Sequence, residues 1–182
     1  IADGLPLSGE RQSTGAFLEA WLRDSATQRV RPKTLIRYEQ IIRLHVGPEL
    51  GRIPLARLTP QHVEEMMAGV AANGASPRTV EHCRAVLRNA LHHAMRHSLI
   101  GRNVAALADC PPVPVREVTP LTPDAARRIL RAVKGDRLEA LFTVALACGL
   151  RQSETLGLRW SDVNMDDGTM SIQRTLQRVR GA

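Results

Sequence analysis

The chain has 182 residues, of which 43% are hydrophobic and 24% charged, and 25 Lys+Arg outnumber 18 Asp+Glu to leave a net charge of +7. That balance excludes wholesale disorder, and the longest apolar stretch, Leu141 to Leu150, is too short to span a bilayer. No basic start followed by an apolar run opens the chain, so no secretory signal is expected.

Residues 1–12 (IADGLPLSGERQ) mix Gly, Pro and Ser without apolar periodicity and read as a linker tail. Thr14 is expected to cap a first helix to about Asp24, with Phe17, Leu18, Trp21 and Leu22 on one stripe. Pro32 suits the first turn of a second helix to about Val46, whose apolar face is Leu35, Tyr38, Ile41 and Ile42 and which Gly47-Pro48 should stop. The connector GRIPLARL leads to Thr59-Pro60, a cap and first-turn proline, and a third helix is expected over 60–72, ended by Asn73-Gly74. Ser76-Pro77 repeats the start signal for a long fourth helix to about His97. Its inner face is Val80, Cys83, Leu87, Leu91 and Ala94.

The segment DCPPVPVREVTP (109–120) puts four prolines into twelve residues, which is stiff and non-helical. It divides a helical domain (13–108) from a second domain (120–182) through a linker at 109–119. Thr122-Pro123-Asp124 opens a fifth helix to about Lys134, and a sixth runs from Arg137 to Cys148. Gly149 breaks it and a short helix restarts at Leu150–Arg151. Trp160 to Asn164, a turn at Met165-Asp166-Asp167-Gly168, and Thr169 to Leu176 read as strand–turn–strand. No further element follows, and the chain begins at Ile1 rather than Met, so it is expected to be a piece of something longer. Cys83, Cys110 and Cys148 are neither a disulfide framework nor a zinc pattern, which points to a reduced, cytoplasmic protein.

Charge is concentrated. Residues 29–102 hold twelve Lys+Arg and five Asp+Glu, and the remainder balances at thirteen of each. Eleven of the twelve are Arg, which favours forked contact with phosphate or base edges. A polyanionic partner is implied. Lys33, Arg37 and Gln40 oppose the apolar face of the second helix, with Arg31 just ahead and Thr34 flanking. Arg78 and His82 oppose that of the fourth, flanked by Thr79, Arg84 and Arg88. Both helices start on a Pro-led turn whose free N–H groups and dipole favour phosphate.

The run ACGLRQSETLGLRWSDV, followed by NMDDGTMSIQRTLQR, resembles the opening of the catalytic domain of tyrosine recombinases of the phage integrase family. There an apolar helix, Gly-Leu-Arg, a Glu three residues on, Leu-x-Trp-x-Asp and a β-hairpin follow in that order. Upstream, Thr34…Tyr38…His45-Val46, LGRIPLARLTP and SPRTVEHCRAVLRNAL are similar to the family's core-binding domain, so the resemblance covers about 14–180. It implies a mainly α chain: a small four-helix, SAM-like core-binding domain, then an incomplete α+β catalytic domain. It also implies that the second and fourth helices face the major groove of DNA.

Arg151 then takes the role of a guanidinium that stabilises the charge developing on a phosphodiester. Leu141–Leu150 should be locked in a core beneath it. Glu154, three residues on, would orient that guanidinium. The family also needs a later Lys, a His-x-x-Arg pair, a second His or Trp and a nucleophilic Tyr. Here Tyr38 is the sole tyrosine, Lys33 and Lys134 both precede Arg151, and no His follows His97, so this chain by itself should not cleave DNA. No metal or cofactor is expected. His92, His93 and His97 lack a nearby carboxylate or Cys in sequence, and Asp166-Asp167-Gly168 is explained by a hairpin turn. The implied partners are double-stranded DNA at an attachment site and recombinase protomers forming a tetramer on it, with no membrane. The rival readings are a non-catalytic DNA-binding module that competes for recombination sites and a helical scaffold for an acidic protein.

Overall fold

Helix-start chemistry and apolar stripes account for most of the architecture in the computed structural model, which describes residues 12–114, 117 and 119–178. The chain divides into two compact units, Ile1–Val115 and Arg116–Ala182. The tail expected at 1–12 lies outside the described residues except for Gln12, as does part of the expected linker at 109–119.

In the first unit, α1 (Thr14–Trp21) is capped by Ser13, whose hydroxyl accepts from the Ala16 amide. The expected cap, Thr14, is instead buried inside the first turn and donates its hydroxyl to the Ile53 carbonyl at 2.9 Å. The sequence offered two adjacent hydroxyls, and only the returning 51–55 connector distinguishes them. Helical backbone also runs past Asp24, through a π-turn at Leu22–Ala26 into α2 (Thr27–Arg29). A second π-turn, Ile42–Val46, joins α3 (Pro32–Ile41) to α4 (Gly47–Leu50). Gly47-Pro48 therefore does not stop the helix. Pro48 has no N–H to donate, and the wider turn carries the backbone past it, with the Gly47 amide bonded to the Ile42 carbonyl.

The helices α5 (Pro60–Ala72) and α6 (Pro77–Arg96) start at the expected caps, Thr59 and Ser76. A short α7 (Val104–Leu107), capped by Asn103, was not foreseen. α6 is the spine of this unit: α3, α5 and α7 all pack on it, and Val80, Cys83, Leu87, Leu91 and Ala94 are buried as expected. Phe17, Leu18 and Trp21 from α1, Ile41 from α3 and Ile42 from the π-turn that follows it complete the same core.

The second unit contains α8 (Pro123–Ala132), capped by Thr122, α9 (Glu139–Cys148) and α10 (Gln152–Gly157). A two-stranded antiparallel hairpin, β1 (Val163–Asn164) and β2 (Thr169–Met170), pairs Val163 with Met170 and Asn164 with Thr169. The strands are shorter than expected: Trp160–Asp162 forms a 3-10 turn, and 171–178 has no regular structure. The Asn164 side chain accepts from the Asp166 and Asp167 amides, so an Asx turn closes the hairpin.

Burial corrects a larger expectation. No residue of α8 or α9 is buried, so Leu141–Leu150 is not locked in a core among the described residues. An apolar helix becomes a core helix only when a second layer covers it. Here Phe142 remains 37% exposed.

Candidate nucleic-acid interface and phosphate-activating arginine

In the first unit the pairing of α3 with α6 sets the geometry. The Asn89 side-chain amide donates to the Tyr38 hydroxyl at 3.2 Å, and the Tyr38 ring stacks on Trp21 with centroids 5.7 Å apart. Tyr38 is thus a packing residue, as its place on the apolar stripe predicts. One cleft is lined by Val30 and Tyr38 together with Asn89, His93 and Arg96. The start of α3 therefore lies toward the carboxyl half of α6, away from Arg78 and Thr79 at its amino end.

The sequence-selected side chains differ in what holds them. Arg31, Lys33, Arg37 and Arg88 are exposed, and their cationic ends have no protein hydrogen bond among the described residues. Arg78 is exposed but paired with Glu81 on the next turn. The Thr79 hydroxyl shares a hydrogen bond with Ser76. Thr34 and His82 are half-buried. Arg84 is turned inward: its guanidinium donates to the Ala105 and Ala108 carbonyls at 3.3 Å each, satisfying the end of α7. That use was invisible in sequence because α7 was. The charge of Arg37 reaches Cys83 on α6, where it partly offsets the burial that pushes the thiol up to about 11.

In the second unit, Gly149 takes a left-handed φ of +64° and ends α9, with the Gly149 and Leu150 amides both bonded to the Ala145 carbonyl. The next residue but one, Arg151, precedes α10 with extended backbone. Its side chain is 84% exposed. Glu154 holds it at two points, accepting from the Arg151 amide and from the guanidinium, each at 2.9 Å. These bonds, the backbone one foremost, hold the Glu154 carboxyl below its ordinary value. The carboxylate fixes both the start of α10 and the guanidinium, while the other guanidinium nitrogens stay open to solvent.

A second brace was missed. Asp162 is buried and accepts from the Arg159 amide and from the Arg174 guanidinium, contacts that lower its carboxyl pKa, the Arg174 bond most. The Ser171 amide donates to the Asp162 carbonyl and the Leu176 amide to the Ser153 carbonyl, each at 2.8 Å. The segment after the hairpin is thereby tied to α10, the helix that carries Glu154. Asp162 stood in the quoted Leu-x-Trp-x-Asp pattern, but a partner twelve residues away across a turn follows from no spacing rule.

Comparison with known proteins matches both units. The family model described as phage integrase, N-terminal SAM-like domain, matches residues 15–68, and that of the phage integrase family matches residues 120–181. An integrase from Saccharopolyspora erythraea is 29% identical over 172 residues, covering 93% of this chain and 39% of that protein. A tyrosine recombinase XerC from Brucella suis is 30% identical over 165 residues, covering 81% of this chain and 52% of the relative. The chain thus spans about two-fifths to one-half the length of these curated relatives. The Tn1549 transposon integrase, solved with circular intermediate DNA, aligns at a TM-score of 0.79 and 22% identity over 93% of this chain and 57% of its own. A lambda integrase tetramer on a Holliday junction aligns at 0.72 and 23% identity, covering 90% of this chain and 50% of its own.

Proposed function

The chain belongs to the phage integrase family of tyrosine recombinases, and from that membership we propose that it is the DNA-gripping portion, with the start of the catalytic domain, of a site-specific recombinase. Residues 13–108 form the core-binding domain, 109–119 the linker and 120–182 the opening of the catalytic domain. The first unit holds duplex DNA of the attachment site through α3 and α6, and the second contributes Arg151. In the whole protein a tyrosine oxygen attacks the scissile phosphorus and the 5′-hydroxyl leaves, giving a 3′-phosphotyrosyl intermediate. The 5′-hydroxyl of the partner strand then attacks that phosphorus and releases the tyrosine. Bond energy is retained in the intermediate, so neither metal nor nucleotide is required. The nucleophile is not among these 182 residues, because the sole tyrosine is Tyr38.

Arg151 would meet the non-bridging oxygens through the guanidinium edge that Glu154 leaves free. A fixed donor contributes more than a mobile one because it needs no reorganisation as charge develops. Glu154 acts as a positioning residue. In the whole protein, protomers assemble as a tetramer across two DNA sites in the bacterial cytoplasm.

The observation that carries this reading is the co-occurrence, in order on one chain, of the two family domains with an exposed cationic face on α3. A salt-titrated binding assay tests it, using a duplex enriched from a random library against its scrambled counterpart. The enriched duplex should bind about 10³-fold tighter or more, with affinity falling steeply as salt rises. Arg37→Ala combined with Arg88→Ala should flatten the logarithmic salt slope by about 0.9 for each phosphate no longer neutralised. Equal affinity for the two duplexes overturns the reading.

A further inference from the structure

We propose that a cleft between the carboxyl half of α6 and the end of α1–α2, lined by Ser25, Arg29, His93 and Arg96, is a separate seat for one backbone phosphodiester of duplex DNA. The proposal rests on the reading that the first unit binds duplex DNA, and it adds a contact that neither helix face predicted from sequence contains.

Trp21 and Tyr38 form the apolar wall of this cleft, whose volume is about 210 Å³. Arg29 and Arg96 are both exposed, and neither takes part in an ion pair among the described residues. His93 lines the same cleft and feels the charge of both, with Nε2 at 2.9 Å from the Ser25 hydroxyl. Its Nδ1 is buried and has no hydrogen-bond partner among the described residues. The His97 ring lies beside it, tilted by 32°, at 4.2 Å between centroids.

Among the described residues no Asp or Glu lines this cleft. Burial, then the charges of His97, Arg29 and Arg96, depress the His93 pKa, which keeps the ring neutral and able to offer one N–H. The groups present are therefore two guanidinium forks, a hydroxyl and a neutral imidazole with an unsatisfied nitrogen. That set matches a phosphodiester, which carries one negative charge and only acceptor oxygens. A divalent cation fits badly beside two arginines. The cleft also reaches Val30, so it adjoins the start of α3, where Arg31 and Lys33 are exposed. A strand lying along that end of α3 would pass from those two side chains to Arg29 and Arg96, which favours nucleic acid over a small free anion.

The test uses the full chain and the enriched duplex. Arg29→Gln with Arg96→Gln should lower the salt slope by about 0.9, the value for one phosphate, whereas Arg29→Lys with Arg96→Lys should retain the wild-type slope. A control that removes the same amount of charge, Arg23→Gln with Arg127→Gln, deletes cations already paired with Asp24 and Asp124 and should leave the slope unchanged. Thermal unfolding of each variant checks that the fold persists. If the glutamine pair at 29 and 96 keeps the wild-type slope, or if the control lowers it equally, the phosphate seat is overturned while duplex binding stands. Failure of the wild-type chain to bind duplex overturns the broader reading instead.

Discussion

Two side chains show how local contacts set chemistry in this protein. His93 is held toward its neutral form by burial and by the cations around it, His97, Arg29 and Arg96. Its folded pKa lies below the unfolded value, so between those values the unfolded chain binds the extra proton. The resulting stabilisation is present above about pH 6.5 and is lost as pH falls toward the folded value. Denaturant unfolding at pH 7.5 and pH 5.5 should therefore show a less stable first unit at the lower pH, with His93→Gln reducing the difference. Cys83 is fully buried and pushed up to about 11, whereas Cys148 is exposed. A thiol reagent at pH 8 should label Cys148 in the native chain and reach Cys83 only after denaturation, because the thiolate is the reactive form. Sequence alone placed Cys83 on the inner face of its helix and Glu154 beside Arg151, since both follow from helical periodicity. It did not place Arg84 on α7 or Asp162 on Arg174, since those partners are set by how distant segments return.

At the scale of elements, the proline-led helix starts were legible, as were the ends at Asn73, His97 and Gly149, whereas the ends expected near Asp24 and at Gly47-Pro48 were not. Thr59, Ser76 and Thr122 cap as their sequence signals predict, because a side-chain oxygen and a following proline act within one turn. The two failed ends depend on what the next segment packs against, and there the π-turns continue helices that the sequence stops. Gly149 and Gly157 in the second unit illustrate two kinds of geometric demand. Gly149 sits at φ +64°, and Gly149→Ala should cost about 1–2 kcal/mol, the usual penalty for an L-residue in the left-handed region, measurable as a lower unfolding midpoint. A Cβ at Gly157 would lie 3.0 Å from the Arg174 carbonyl oxygen and 3.1 Å from the Leu176 amide. Both atoms are backbone, so Gly157→Ala should push the 171–176 segment from α10. Faster hydrogen exchange at the Leu176 amide, whose bond to Ser153 would open, is the expected readout.

Over the whole molecule, burial is unequal. Every buried hydrophobic side chain among the described residues belongs to the first unit, while the buried residues of the second are Thr155 and Asp162 alone. Trp160 is 87% exposed and Met165 79%. Opening free energy follows buried apolar contact, so amides of α8 and α9 should exchange faster than those of α5 and α6 in native-state exchange measurements. Leu87, fully buried at the centre of α6, provides the complementary test. Leu87→Ala should destabilise the first unit by about 2–5 kcal/mol, read from denaturant unfolding, and leave exchange in α8 and α9 little changed.

The amino-acid sequence alone determined the helical class, the capped starts, the inner face of α6 and the Arg151–Glu154 pairing, along with the family resemblance. Each of these is written within one or two helical turns or in a contiguous motif, where spacing and side-chain chemistry suffice. Tertiary structure decided which hydroxyl caps α1, which arginines stay free, how Asp162 anchors the segment after the hairpin, and that Arg29 and Arg96 line one cleft with His93. Those outcomes join residues far apart in the chain, and the free energy that brings them together comes from packing, which no local pattern records.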